Sequence, residues 1–267
     1  MGTSRKDIQA ANFEAVLEEL YDIEESEAQE GDWQSDYLRN HLPRYKKTIK
    51  IVKSELSSGR ILEVGAAPGH LAYFMSRIGY DVSTIDLDPS RIHNAVKQVV
   101  KGSDECDIER ETMPYDDNTF DAVLLAEVFE HLSVDPLHAL SEIRRILKPD
   151  GKLVLTTPNL YFLERVRQFL GFKEGVLWGS PADSFGELNE KGHRGHIRVH
   201  TKSELIDTLE RSGYDIVRTE YRMMEWNYWE PGQPDGVRET VRCTAARWVT
   251  NLVPRLRKTI IVIGTPD

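Results

Sequence analysis

The stretch Ile61–His70, ILEVGAAPGH, joins a short aliphatic run to a turn with two glycines and then to a helical pattern. ILEV is apolar except for Glu63, the composition of a buried strand with one carboxylate near its exit. Gly65 and Gly69 bracket the turn, and HLAYFMSRIG beyond it carries apolar residues at helical spacing, closed by Gly79. A strand, a glycine turn and a helix in this order make the first crossover of a doubly wound sheet, where backbone can approach a ligand. A dinucleotide fingerprint needs G-x-G-x-x-G, yet Ala67 and His70 stand where its second and third glycines belong. The turn therefore lacks the full pyrophosphate cradle.

The alternation continues outward. DVSTIDL (81–87) reads as a strand and PSRIHNAVKQVV (89–100) as a helix opened by Pro89. FDAVLLAEV (120–128) reads as a buried strand and PLHALSEIRRIL (136–147) as a helix. GKLVLTTP (151–158) is a strand after a Pro149-Asp150-Gly151 turn. Then come the helix SELIDTLERSG (203–213), the strand YDIVRTEY (214–221), an amphipathic stretch (236–253) and a last strand, TIIVIGT (259–265). Strands alternating with helices at this spacing build βαβ units and a parallel sheet. Residues 12–20 and 37–56 have helical spacing, with Pro43 opening or kinking the second helix. They form an N-terminal helical cap over residues 1–58, before a main domain at 59–267. Residues 160–200 break the rhythm with aromatics, glycine and histidine, and an irregular insertion at the carboxyl edge of such a sheet is expected to be a lid.

Charge narrows the function. The net charge is −10, but residues 7–38 hold eleven acidic side chains and no Lys or Arg, leaving 33 acidic against 34 basic elsewhere. A near-neutral body argues against a nucleic-acid partner, which needs a basic face. Cys106 and Cys243 stand apart with no Cys/His cluster around either, so neither a disulfide framework nor a zinc knuckle is suggested. The longest aliphatic runs, AVLLA and IIVIG, are too short to span a bilayer. The chain reads as a cytoplasmic protein with no transmembrane segment. Its amphipathic stretch, with Trp248, reads as a helix on its own sheet or as a peripheral membrane contact.

Glu63-x-Gly65-x-x-x-Gly69 resembles motif I of the class I S-adenosylmethionine-dependent methyltransferases, with Ala67 in place of the middle glycine. Asp86 ends the second strand, 17 residues after Gly69, where that family has an acid for the ribose hydroxyls. CDIERETMPYDDNTFDAVLLAEVFEHL and EIRRILKPDGKLVLTTPN resemble the family's run from the adenine contact to the fifth strand, so the likeness covers about residues 60–160. It implies an α/β, Rossmann-like fold with a doubly wound, mostly parallel seven-stranded sheet. It implies S-adenosylmethionine as cofactor, held by Glu63, Gly65, Ala67, Gly69, Asp86, Asp107, Ile108 and Ala126. Glu109 is the alternative to Asp107 and Ile108 at the adenine.

After the fourth strand, AEVFEHL resembles small-molecule O-methyltransferases of the ubiquinone-pathway type and small-RNA 3′-end ribose methyltransferases, in which E-x-x-E-H can hold a divalent metal. Glu127, Glu130 and His131 stand at i, i+3 and i+4, one face of a helix if the chain turns helical there. By the same resemblance His196, five residues before Thr201, is the fourth ligand. Oxygen and nitrogen ligands without thiolate suit Mg²⁺, Mn²⁺ or Zn²⁺. The bland alternative is acids at a helix start and a hydrogen-bonded His; His131 or His196 is then the general base.

The acceptor is expected to be a small molecule or a sugar or glycan intermediate, methylated at a hydroxyl or carboxyl. His193, Arg194, Arg198 and His200 suit an anionic acceptor or salt bridges to the acidic cap. Tyr161, Phe162, Phe172 and Trp178 suit an acceptor wall or plain packing, and Trp226, Tyr228 and Trp229 a lid rim or a dimer contact. An RNA ribose methyltransferase and a non-catalytic cofactor-binding subunit are the alternatives.

Overall fold

The RILEV segment folds as the central strand β1 (Arg60–Val64), with Ile61, Leu62 and Val64 at most 2% exposed. Strands flanked on both sides and covered on both faces are mostly apolar, as this segment is apart from the exposed Arg60 and the buried Glu63. The computed structural model describes residues 13–27, 34–163, 165–166, 170, 196–222 and 237–267. The remaining strands are β2 (Asp81–Asp86), β3 (Ser103–Glu105), β4 (Phe120–Ala126), β5 (Leu147–Pro158), β6 (Tyr214–Arg222) and β7 (Thr259–Pro266). They lie in the order β3-β2-β1-β4-β5-β7-β6. β1 to β5 pair in parallel, whereas β7 runs antiparallel between β5 and β6. The order reverses between β1 and β4, so a crevice opens at their carboxyl ends.

Seven α-helices are described: α1 (Phe13–Glu27), α2 (Gln34–Glu55), α3 (His70–Arg77), α4 (Asn94–Val99), α5 (Pro136–Ile146), α6 (Lys202–Arg211) and α7 (Val237–Leu252). Leu20, Leu38, Ile49 and Phe74 join α1, α2 and α3 to one face of the sheet. Leu140, Ile143, Leu205 and Tyr214 build the core of the other face. Each such side chain contributes about 1.5–3 kcal/mol on burial. Glu19 of α1 accepts from Tyr73 Oη at 3.0 Å and from Arg77 Nε at 2.8 Å and Nη2 at 2.7 Å. α1 is thus latched to the helix that follows the glycine turn.

Three local readings change. Pro43 lies inside α2, which runs through it from Gln34. The helix expected from Pro89 is split: Asp88 caps a 3₁₀ turn at Pro89–Arg91, and Ile92 turns extended before α4. The break lets His93 donate its backbone N–H to Pro68 O at 3.1 Å, tying the segment to the glycine turn. The Pro149-Asp150-Gly151 turn lies within β5, between the pairings Phe120↔Leu147 and Ala122↔Lys152. It forms a wide bulge where β4 and β5 begin.

Thr201 and Glu204 close a reciprocal capping box at the start of α6. On α7, Thr250 is buried while Trp248 and Leu252 are 67% and 78% exposed. No helix among the described residues is long and apolar enough to cross a membrane.

Candidate active site

The turn after β1 is held closely. Gly65 donates its N–H to Ile85 O at 2.8 Å with φ of 66°, and Gly69 has φ of 101°. A Cβ on Gly65 would meet Val128 Cγ2 at 2.6 Å, and one on Gly69 would meet Val96 Cγ1 at 2.8 Å. Both positions therefore need glycine for backbone and for space. Ala67 donates its N–H to Asp86 Oδ2 at 3.0 Å, and Asp88 donates to Asp86 Oδ1 at 3.0 Å. Each Asp86 oxygen keeps a second lone pair for a ligand hydroxyl.

Glu63 is 6% exposed and its Oε2 is buried without a hydrogen-bond partner. Burial pushes its carboxyl up to about 8, against the pull of Arg44 and of the Ala72 backbone N–H. At the carboxyl end of β3, Asp107 accepts from Glu109 N at 3.1 Å and pairs with Arg110 at 2.6 Å, and Ile108 is buried. Glu109 is engaged elsewhere. Its Oε1 accepts the N–H groups of Ser133, Val134 and Asp135 at 2.8, 2.7 and 2.9 Å, clamping the segment after β4.

The segment Ala126–His131 does not turn α-helical. Ala126 is half-buried at the end of β4, and Glu127 follows with φ of 60°. Only Phe129–His131 form a helical turn, of the 3₁₀ type. The helical-face argument for Glu127, Glu130 and His131 fails on this backbone. Glu127 Oε1 instead accepts from Thr156 Oγ1 at 3.0 Å. Among the described residues, the group whose ligand atoms lie within 4.8 Å of one another is Glu130, His131 and His196, without Glu127.

His196 is brought there by its neighbours: Ile197 and Arg198 donate their N–H groups to Glu130 O at 2.9 and 3.2 Å. His196 Nε2 lies 3.9 Å from Glu130 Oε1, and the two imidazoles stand edge to face at 5.0 Å. Glu130 is fully buried and accepts from Thr157 Oγ1 at 2.9 Å. Burial and then the Glu127 charge push its carboxyl well above the usual carboxylate range.

Other candidates are placed differently. Arg198 pairs with Glu204 of α6 at 3.1 Å, not with the acidic cap. His200 is buried with its ring 5.1 Å from that of Phe129. Tyr161 is 48% exposed. His193, Arg194, Phe172, Trp178, Trp226, Tyr228 and Trp229 lie outside the described residues.

Two cations were missed by sequence reasoning. Arg44, on α2, acts electrostatically on Glu63, Glu127 and Glu130, and its Nε is buried without a partner. Tyr37, His41 and Arg44 recur at i, i+4 and i+7, a polar face on an otherwise apolar inner side, and that periodicity was the available signal. Lys258, directly before β7, is half-buried and acts on the same Glu127. No local pattern marks it.

Residues 36–219, more than half of the chain, match the family described as a methyltransferase domain. The chain belongs to that family. This methyltransferase-family chain is 34% identical to a ubiquinone biosynthesis O-methyltransferase of Xanthomonas oryzae pv. oryzae over 109 residues, 39% of this chain and 45% of that relative. It thus spans less than half the length of that relative. It is 26% identical over 213 residues to a ubiquinone/menaquinone biosynthesis C-methyltransferase of Idiomarina loihiensis, covering 73% of this chain and 82% of the other. A Thermotoga maritima structure described as a SAM-dependent methyltransferase, possible histamine N-methyltransferase, superposes with a TM-score of 0.54 at 21% identity, over 93% of this chain and 100% of the other. That likeness concerns the fold, which is the class I methyltransferase fold.

Proposed function

We propose that this chain transfers the methyl group of S-adenosylmethionine to a hydroxyl or carboxyl oxygen of a small molecule. The observation that carries the reading is a pair of buried polar atoms without partners beside the glycine turn, Arg44 Nε from the cap and Glu63 Oε2 from β1. Leaving such groups unpaired costs about 1–3 kcal/mol each, so they fit a ligand that offers an acceptor to one and a donor to the other. The methionyl carboxylate and ammonium offer both. Asp86 would take the ribose hydroxyls with its remaining lone pairs, and Asp107 and Ile108 would flank the adenine. Gly65, Ala67 and Gly69 would keep the backbone close.

When bound, S-adenosylmethionine supplies an electrophilic methyl group on a sulfonium. The chain's own part is to orient the acceptor oxygen and take its proton. His131 and His196 are the bases for this, at the carboxyl edge beside Glu130. Glu130 lies 3.9 Å from His196 Nε2 and helps to position that ring. The proximity of two imidazoles supports oxygen over carbon methylation, and the two quinone-pathway relatives favour a small acceptor over the glycan expected from sequence.

A metal-assisted form is the second reading, favoured by the convergence of Glu130, His131 and His196 within 4.8 Å. Two nitrogens and one oxygen suit Zn²⁺ or Mn²⁺ and would leave positions for an acceptor oxygen, whose pKa such an ion lowers.

The test is a calorimetric titration of S-adenosylhomocysteine into chelator-stripped protein, followed by Mn²⁺ into wild type and H196A. Saturable binding of the cofactor product is expected, and its absence overturns the methyltransferase reading. A Mn²⁺ site lost in H196A supports the metal-assisted form; no site leaves His131 and His196 as bases. Absence of turnover with every phenol, diol and carboxylate offered would instead favour a non-catalytic cofactor-binding subunit.

A further inference from the structure

α7 turns its apolar side outward. Along its second half Ala245, Trp248, Val249 and Leu252 are all exposed, and they recur at i, i+3, i+4 and i+7. That spacing puts them on one ridge of the helix. Trp248 and Leu252 are 67% and 78% exposed, whereas Thr250, on the other side, is buried with its hydroxyl donating to Ala246 O at 2.9 Å. A helix packed on its own sheet buries its apolar ridge and leaves threonine outside, so the usual arrangement is inverted here. Single exposed apolar side chains are ordinary, but a continuous ridge that includes a tryptophan marks an interaction surface.

The ridge is held in place from behind. Arg257 donates from Nε to Thr250 O and from Nη1 to Tyr221 O, both at 3.2 Å, tying the end of α7 to β6. The turn after the helix is fastened to the sheet by Asn159, which is fully buried directly after β5. Its Nδ2 donates to Arg255 O at 2.7 Å and to Arg257 O at 2.6 Å. α7 thus ends close to the edge where β5 ends.

Charge selects the occupant. Residues 237–258 hold six of the chain's 34 basic side chains and one of its 44 acidic ones, a local charge of +5 in a protein whose net charge is −10. Arg255, just beyond the ridge, is exposed. A second copy seated face to face on this segment would set the same basic side chains against each other. An anionic lipid surface meets both features, taking Trp and Leu at the acyl boundary and attracting the basic segment to its headgroups. We propose that α7 docks the protein on an anionic phospholipid bilayer, with Trp248, Val249 and Leu252 entering the headgroup boundary and Arg255 at the phosphates. None of these residues belongs to the cofactor turn or to the Glu130 cluster, so docking is independent of the reaction proposed above.

The experiment floats the full chain with vesicles of equimolar phosphatidylcholine and phosphatidylglycerol, and with vesicles of phosphatidylcholine alone. Wild type is expected to bind the mixed vesicles at least 10-fold more tightly than the neutral ones, and to leave them as salt rises. The double variant W248S/L252S should lose at least 10-fold in affinity for the mixed vesicles, and R255Q should lose less. Both side chains replaced in the double variant are exposed, so its thermal melting should match wild type and report that it is folded. Absence of flotation with either vesicle overturns the docking surface, as does equal flotation with both. Unchanged flotation of W248S/L252S overturns it too, by placing the lipid contact elsewhere. A wild-type dimer in sedimentation velocity that W248S/L252S dissociates would overturn it in favour of a second copy on the ridge.

Discussion

Asp86 Oδ2 accepts the backbone N–H of Ala67 at 3.0 Å, so the acid that ends β2 also holds the turn that follows β1. In the proposed reading the same carboxylate also takes the ribose hydroxyls. D86A should raise the dissociation constant for S-adenosylhomocysteine at least 10-fold and loosen the turn. D86N, which retains an acceptor oxygen, should be milder in stability than in affinity. Calorimetry and thermal melting of the two variants separate these effects.

The glycine turn is under two constraints that can be taken apart. G65A places a Cβ 2.6 Å from Val128 Cγ2 at a φ of 66° and should cost about 1–3 kcal/mol. Adding V128A removes the clash and leaves the backbone cost. The double variant is expected to bind S-adenosylhomocysteine better than G65A alone, and equal binding would show that the left-handed backbone alone decides.

Glu63 makes stability depend on pH. Its folded pKa, raised to about 8 by burial, exceeds its unfolded value, so its contribution is fully present in acid. That contribution is lost as pH rises from the ordinary carboxylate range through about 8, at up to about 1.4 kcal/mol per pH unit. E63Q should flatten this decline in denaturant titrations of cofactor-free protein. Binding of the cofactor's ammonium beside Glu63 should release protons at neutral pH, seen as a buffer-dependent heat of binding.

His70 and His41 act on the acid side. Burial lowers each to about 3, so the folded chain keeps them neutral where the unfolded chain is protonated. Stability from this source is present above about 6.5 and is lost as pH falls toward 3. H70Q should lessen the acid sensitivity measured by urea unfolding at pH 4 and pH 7.

Glu109 serves as a clamp. One oxygen accepts three N–H groups of residues 133–135, directly after the turn carrying Glu130 and His131. E109A should cost about 1–3 kcal/mol and speed amide exchange at 133–135. Unchanged exchange would show that Asp135, which caps α5 through His138 N, holds the segment by itself.

The legible parts of the site share one property, that each lies where a local pattern ends. Glu63 lies one residue before the end of β1 and Asp86 closes β2, strands whose apolar runs define them, and Gly65 and Gly69 punctuate the turn. The family resemblance singled out Glu130, His131 and His196, and the structure brings these three together. Glu127 was misplaced because i, i+3, i+4 spacing presumes a helix, and the chain takes a left-handed residue and a 3₁₀ turn instead. Pro89 misled similarly, since a proline that opens a helix says nothing about where the helix breaks.

By itself the sequence determined the order of the helices and of every strand except the short β3, because hydrophobic period and glycine and proline punctuation act over a few residues. It also determined the crossover that makes the cofactor turn. Only the tertiary structure decided that β7 enters antiparallel between β5 and β6, carrying Lys258 to the edge where β4 ends. Only the folded chain lets Arg44 of α2 act electrostatically on Glu63, Glu127 and Glu130. These groups come from opposite ends of the chain, and electrostatic attraction across folded space leaves no periodic trace in the residues between them.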